Sequence, residues 1–271
     1  MEMEKSVPHI TVQDLTVAYG SNVILHDLNF AINRGDIFII MGGSGGGKST
    51  VLRSMVGLLP PAKGHIFYDG RSFWSVGPAE QKAIMKKFGI LYQSGALWSS
   101  LTLAENVALP LQQYTDLGPG QINEVVSLKL SLVGLSGFED YYPSEISGGM
   151  KKRAGLARAI ALDPEILFFD EPSAGLDPIS AHLLDELIIE LSNSLGATVV
   201  VVTHELASIF TIGNNSVFLD AYTKTIIAAG NPRKLLAESK DPKVINFLTR
   251  GEGQAEKQRG GNQWMKVDID E

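Results

Sequence analysis

Gly42-Gly43-Ser44-Gly45-Gly46-Gly47-Lys48-Ser49 is the stretch on which the fold turns. It satisfies the spacing G-x-x-x-x-G-K-[ST], and its flanks are those the spacing demands. Asp36 to Met41 reads as a short apolar strand running into the glycines, and a helix is expected to start near Lys48 and end by Gly57. Glycines let the backbone curl until successive N–H groups point inward at phosphate oxygens. The helix that follows adds the positive end of its dipole. Lys48 is then expected at the β- and γ-phosphates of a nucleoside triphosphate, Ser49 at a Mg²⁺ ion, and Thr50 on the α-phosphate side.

The surrounding pattern is α/β. His9–Ala18 and Ile24–Ile32 alternate apolar and polar residues and predict an N-terminal antiparallel β layer, with Asn33–Asp36 as a turn. Short apolar runs at Ile90–Tyr92, Ile166–Phe169 and Thr198–Thr203, with helices between, predict a mainly parallel sheet covered on both faces. From Ser94 to Ala161 helical patterns take over, at Leu103–Leu111, Gln121–Val133 and Gly148–Ala161, and predict an inserted helical subdomain. The division expected is a core of 8–93 and 162–250 and an insert of 94–161. Val217–Ala229 reads as a closing hairpin followed by two short helices. The tail from Gly251 to Glu271, rich in Gly, Gln and charge, is expected to be mobile or to reach a partner subunit.

Two further motifs carry chemistry. Ile166-Leu167-Phe168-Phe169-Asp170-Glu171 delivers two carboxylates at the C-terminal end of a buried strand, where open α/β sheets bind ligands. Asp170 suits a water-mediated Mg²⁺ contact, and Glu171 suits a general base that polarises an attacking water. Ser147 is a sensible N-cap for the helix opened by Ile146-Ser147-Gly148-Gly149-Met150-Lys151-Lys152-Arg153. Exposed amides at a helix start form an anion site, and one nucleotide does not need two of them. The economical reading is that Ser147, Gly148 and Gly149 serve a nucleotide held by another copy of the chain. Lys151, Lys152 and Arg153 read as a solvated helix face.

Over about residues 8 to 250 the sequence resembles the ABC ATPase family of P-loop NTPases, with Ile146–Met150 matching its Leu-Ser-Gly-Gly-Gln signature. Met150 departs from the family's glutamine, a side chain that is not the phosphate contact. The resemblance implies ATP and Mg²⁺ as ligands and a two-fold ATP sandwich in which Ser147 and the glycines contact the partner's γ-phosphate. It further implies Tyr19 stacked on adenine, Gln93 at the end of a strand sensing Mg²⁺ and the attacking water, Ser173–Asp177 crossing between subunits, and His204 at the γ-phosphate. Phe88–Pro110 and the Ser-Gly-Gly-Met signature variant are similar to the ATPases serving MCE-type lipid transporters of the Mla kind. That similarity implies a permease, an MCE lipid-binding protein, a phospholipid cargo, and a site on the cytoplasmic face of the inner membrane. It also implies a groove beside Leu97, Trp98, Leu101 and Leu103 for a permease helix, although those residues read equally as helical-subdomain core.

Composition sets the limits. The chain has 271 residues, no cysteine and a net charge of −7. Disulfides and thiolate metal sites are excluded, and the acid excess argues against a nucleic-acid partner. No apolar run approaches the length of a membrane span, and Met1–Pro8 is too polar for a secretory signal. Two other readings stay open: an importer ATPase for a polar solute, and a non-transport ABC ATPase. The 105 positions from Gly42 to Ser147 leave no room for the long coiled coil of chromosome-maintenance members.

Overall fold

The computed structural model of the protein describes residues 7–251. Two sheets organise them. The first is antiparallel and joins β1 (Ile10–Tyr19), β2 (Asn22–Ile32), β4 (Lys63–Tyr68) and β5 (Arg71–Ser72) in the order β2-β1-β4-β5. The second joins β3 (Ile37–Gly42), β6 (Phe88–Leu91), β7 (Ile166–Asp170), β8 (Thr198–Val202), β9 (Asn215–Asp220) and β10 (Thr225–Ala229) in the order β10-β9-β3-β8-β7-β6. It is parallel throughout except for β10, which pairs antiparallel with β9 at one edge. The mainly parallel sheet and antiparallel layer expected from the sequence are both present; β4 and β5 had no counterpart in that reading.

Helices cover the parallel sheet. They are α1 (Lys48–Met55), α2 (Pro78–Met85), α3 (Leu103–Tyr114), α4 (Pro119–Leu132), α5 (Gly148–Ala159), α6 (Pro178–Leu195), α7 (Leu206–Ile212), α8 (Pro232–Glu238) and α9 (Pro242–Leu248). Because strand side chains alternate between faces, each buried strand serves two cores. Phe38, Ile40, Phe168, Val200 and Val202 face α1 and the antiparallel layer. Ile39, Met41, Leu167, Phe169, Val199 and Val201 face the other way, into one continuous interior with Leu103 and Val107 of α3, Leu130 of α4 and Leu156 of α5. The helical segment 94–161 therefore packs its apolar side directly against the sheet.

Close approach fixes how α5 lies on that sheet. A Cβ on Gly89 of β6 would come within 2.3 Å of the Ala159 carbonyl oxygen, and one on Gly155 within 2.9 Å of the Gly95 carbonyl oxygen. Arg158 completes the contact, its guanidinium donating to the carbonyls of Ala96 and Gly95 at 2.8 and 2.9 Å. Among the described residues no helix is long and apolar enough to cross a membrane. Residues 252–271 of the expected tail lie outside the described residues.

One buried carboxyl is out of keeping with the apolar interior. Asp185 of α6 is 2% exposed, and its Oδ1 has no hydrogen-bond partner among the described residues. Burial pushes its pKa up to about 6, against the opposing pull of a hydrogen bond from Ser208 and the nearby His182. A carboxyl whose folded pKa lies above its unfolded one favours the fold at low pH, and that contribution is lost as pH rises through 6. At 1.36 kcal/mol per pKa unit, Asp185→Asn is predicted to stabilise the protein by roughly 3 kcal/mol at pH 8. Urea unfolding checks this, and the gain should shrink steadily as pH is lowered from 6 toward 4.

Candidate functional site

Three adjacent parallel strands end level with one another. Ile40 of β3 and Asp170 of β7 both pair with Val202 of β8, so the residues just beyond them emerge side by side at the carboxyl edge of the sheet. The glycine loop leaves β3, Glu171 leaves β7, and His204 follows β8. Ser44 to Thr50, Gln93, Glu171 and His204 line a single open cavity of about 440 Å³ together with Ile24.

The loop wraps tightly. Gly42 has φ 150°, and a Cβ there would stand 2.3 Å from the Leu219 carbonyl oxygen. Only glycine meets both conditions. Gly47 precedes α1 with φ 81° and supplies no side-chain cap, so the first amides of α1 are left for a ligand anion. Lys48, 6% exposed, donates from Nζ to the Gly42 and Gly43 carbonyl oxygens, each at 3.0 Å, and lies 4.0 Å from Glu171 Oε1. Burial lowers the Lys48 pKa, while Glu171 and Asp170 act to raise it.

The carboxylates occupy distinct surroundings. Asp170 Oδ1 accepts a 2.7 Å hydrogen bond from Ser49 Oγ, and burial raises its pKa. Glu171 Oε1 lies 2.8 Å from His204 Nδ1, while Oε2 is buried without a hydrogen-bond partner among the described residues. An orphaned buried carboxylate oxygen beside a lysine and a glycine cradle suits a water or substrate hydroxyl. The Ser49–Asp170 pair is a hard oxygen donor set of the sort that holds Mg²⁺ through a hydroxyl, a carboxylate and waters. The Glu171 backbone has φ 50°, and its amide donates to the Val202 carbonyl at 2.8 Å. A left-handed conformation in a residue other than glycine is strained backbone of the kind found at functional sites.

Other residues singled out in the sequence fall as follows. Gln93 is not at the end of β6, which stops at Leu91; it sits in the turn that follows. Tyr19, at the end of β1, is 45% exposed, and its hydroxyl accepts from Arg53 at 3.1 Å. Ser147 caps α5, accepting from the Met150 amide at 3.3 Å, and it is not among the residues lining the cavity around Lys48. Gly148 and Gly149 form the first turn of α5. Leu103 is core, but Trp98 is 63% exposed, so the reading of this segment as interior fails there. Trp98 instead borders a cavity of about 310 Å³ with Leu109, Pro110, Tyr114 and Arg158. Its backbone is fixed from behind by Asn106, whose amide group bonds the Trp98 N–H and the carbonyls of Trp98, Leu101 and Thr102.

The solvated face expected of Lys151–Arg153 is also corrected. Lys152 is 5% exposed and donates to the carbonyls of Glu171, Pro172 and Ala174; Arg153 donates to those of Val133 and Gly134. These acceptors come from loops distant in the sequence. A run of basic residues at a helix start gives no sign of them.

A family model described as ABC transporter matches residues 25–174. The chain belongs to the ABC transporter family. This ABC ATP-binding chain is 40% identical over 239 residues to the intermembrane phospholipid transport system ATP-binding protein MlaF of Haemophilus influenzae, covering 88% of the chain and 89% of that protein. It is 41% identical over 239 residues to the probable ribonucleotide transport ATP-binding protein mkl of Mycobacterium tuberculosis, covering 88% of the chain and only 66% of the length of that relative. Among solved structures it is similar to a dimeric ATP-binding cassette in a post-hydrolysis state with ADP and Pi, at TM-score 0.73 and 28% identity, covering 82% of the chain and 98% of that cassette.

Replacing Lys48 removes the ammonium that bonds the glycine loop and lies 4.0 Å from the Glu171 carboxylate. Lys48→Ala is predicted to lower ATP turnover by about 10²-fold or more, on the scale of losing one electrostatic contact to a developing charge. A phosphate-release assay on the purified chain checks it.

Proposed function

We propose that this chain is the ATP-hydrolysing subunit of a membrane transporter that moves phospholipid between the inner and outer membranes, working as one half of a two-fold ATP sandwich on the cytoplasmic face of the inner membrane. The observation that carries the ATPase reading is the convergence of Lys48, Ser49, Glu171 and His204 on one open cavity of about 440 Å³, with Asp170 hydrogen-bonded to Ser49. Near-end-to-end similarity to MlaF carries the phospholipid reading.

The chemistry is phosphoryl transfer to water, in which positioning and charge stabilisation do most of the catalysis. The loop amides from Ser44 to Thr50 and the Lys48 ammonium hold the triphosphate of ATP, with Tyr19 free to stack on the adenine. Ser49, Asp170 and Gln93 would hold Mg²⁺, which would supply positive charge to the triphosphate. Glu171 accepts a proton from the attacking water, a contribution of about 10²- to 10⁴-fold in rate. His204, hydrogen-bonded to Glu171, orients that carboxylate and reaches toward the γ-phosphate. Ser147, Gly148 and Gly149 of a second copy close the other side of the nucleotide. ATP thus holds the dimer together, and its hydrolysis releases the contact and moves the attached permease subunits.

Glu171→Gln preserves shape and loses the base. It is predicted to bind ATP, to stay dimeric in its presence, and to turn over at least about 10²-fold more slowly. Size-exclusion chromatography with and without ATP, beside a phosphate-release assay, gives both numbers; near-wild-type turnover would remove Glu171 from the role assigned.

Exposed Trp98 at the mouth of an apolar groove supports this face as the permease contact. The full chain is expected to co-purify from detergent-solubilised membranes with a permease and an MCE protein, and Trp98→Ala to reduce that recovery while sparing ATPase activity. A periplasmic solute-binding protein in place of the MCE protein would favour a polar-solute importer, the kind of reading that the name of the mycobacterial relative suggests.

A further inference from the structure

The ammonium of Lys152 has three N–H donors, and each has a main-chain acceptor: the carbonyls of Glu171 (3.4 Å), Pro172 (2.5 Å) and Ala174 (2.6 Å). Those acceptors span four consecutive residues that begin at Glu171. Pro172 and Ser173 are buried, and the segment's other polar ties are few among the described residues. Its internal bonds are the turn from the Ala174 amide to the Glu171 carbonyl and that from the Leu176 amide to the Ser173 carbonyl, and a 3.3 Å contact joins Ser173 Oγ to Ser208 Oγ. Glu171 itself, with φ 50°, is held on its amide side by Val202 of β8 and on its carbonyl side by Lys152.

Lys152 stands in the second turn of α5, five residues after Ser147, so helix geometry makes the distance between them rigid. The rest of α5 is anchored independently, through Arg153 to the turn at Val133–Gly134 and through Arg158 to Gly95 and Ala96. With the later turns of α5 held at these points, a displacement of its start falls on the first turns, where Lys152 is bonded to the segment after Glu171.

We propose that Lys152 is a positioning residue that couples the two nucleotide sites of the dimer, tying the Glu171 of one protomer's site to the helix start that caps the nucleotide of the other. This rests on the ATPase reading above. Engagement of Ser147 with the partner's nucleotide acts on the first turns of α5, and Lys152 relays it to the peptide that aims Glu171. The Lys152 side chain touches neither nucleotide. Its effect therefore falls on turnover and on communication between sites, and little on ATP binding.

The test is steady-state MgATP hydrolysis by the purified full chain, wild type beside Lys152→Met and Lys152→Arg. Met keeps the length and apolar stem and has no donors; Arg keeps charge and donors. Loss of charge-assisted hydrogen bonds to buried carbonyls predicts a kcat roughly 10-fold or more lower for Lys152→Met. The MgATP concentration giving half-maximal rate should change less than about 3-fold, and the Hill coefficient should fall toward one. Arg should restore kcat and cooperativity. A merely structural lysine would lower Tm and active fraction together and leave the Hill coefficient at its wild-type value, which would overturn the proposal. So would a Met variant with wild-type kcat and cooperativity while the wild type hydrolyses ATP normally. A wild-type chain with no MgATP turnover would instead bring down the ATPase reading itself, and the coupling with it.

Discussion

The in-register pairing of β3, β8 and β7 is the constraint from which the site follows. Strands in a parallel sheet lie about 4.8 Å apart, and Ile40, Val202 and Asp170 share one row across them. The first residues beyond that row must therefore be neighbours, whatever the loops do. The glycine loop, the Asp170–Glu171 pair and His204 all hang from this edge, and Gln93 joins them from the turn after the neighbouring β6. A one-residue slip in β7 would exchange the faces of Phe168 and Phe169 between the two cores, which makes the register costly to change. The packing of the interior thus holds the carboxylates where the phosphate loop needs them.

The helix α5 is the second organiser. Its glycine contacts and three of its four basic side chains reach four other parts of the molecule: β6, the turn after it, the loop after α4 and the segment after Glu171. A buried lysine is expensive unless all its donors are used, and Lys152 uses all three. The helix whose first turn is proposed to meet a partner's nucleotide is in this way the same one that braces the Glu171 segment.

Much of this was legible in the sequence, for a physical reason. Phosphate binding by backbone amides demands glycines at fixed offsets, and a strand buried on both faces demands an unbroken apolar run. Gly42–Ser49, Ile166–Glu171 and the Ser147 cap accordingly announce themselves. What the sequence hid depends on contacts between distant segments. The strand β4 has an alternation too short and too interrupted to stand out, and it is defined by pairing with β1. Lys152 reads as a solvated charge until the carbonyls of the Glu171 segment fold over it. Trp98 looks like core until Asn106 pins its backbone at the surface, and Asp185 gives no hint that its carboxyl is enclosed.

In the function proposed, Ser147 of one protomer completes the nucleotide site of another. A structure of the Glu171→Gln chain loaded with MgATP tests it most directly, through the distance from Ser147 Oγ to the γ-phosphate bound at the partner's Lys48. Hydrogen-bond distance is predicted, with the Gly148 and Gly149 amides facing the same phosphate. Nucleotide-loaded protomers in which Ser147 faces solvent, or lies far from the partner's Lys48, would contradict it.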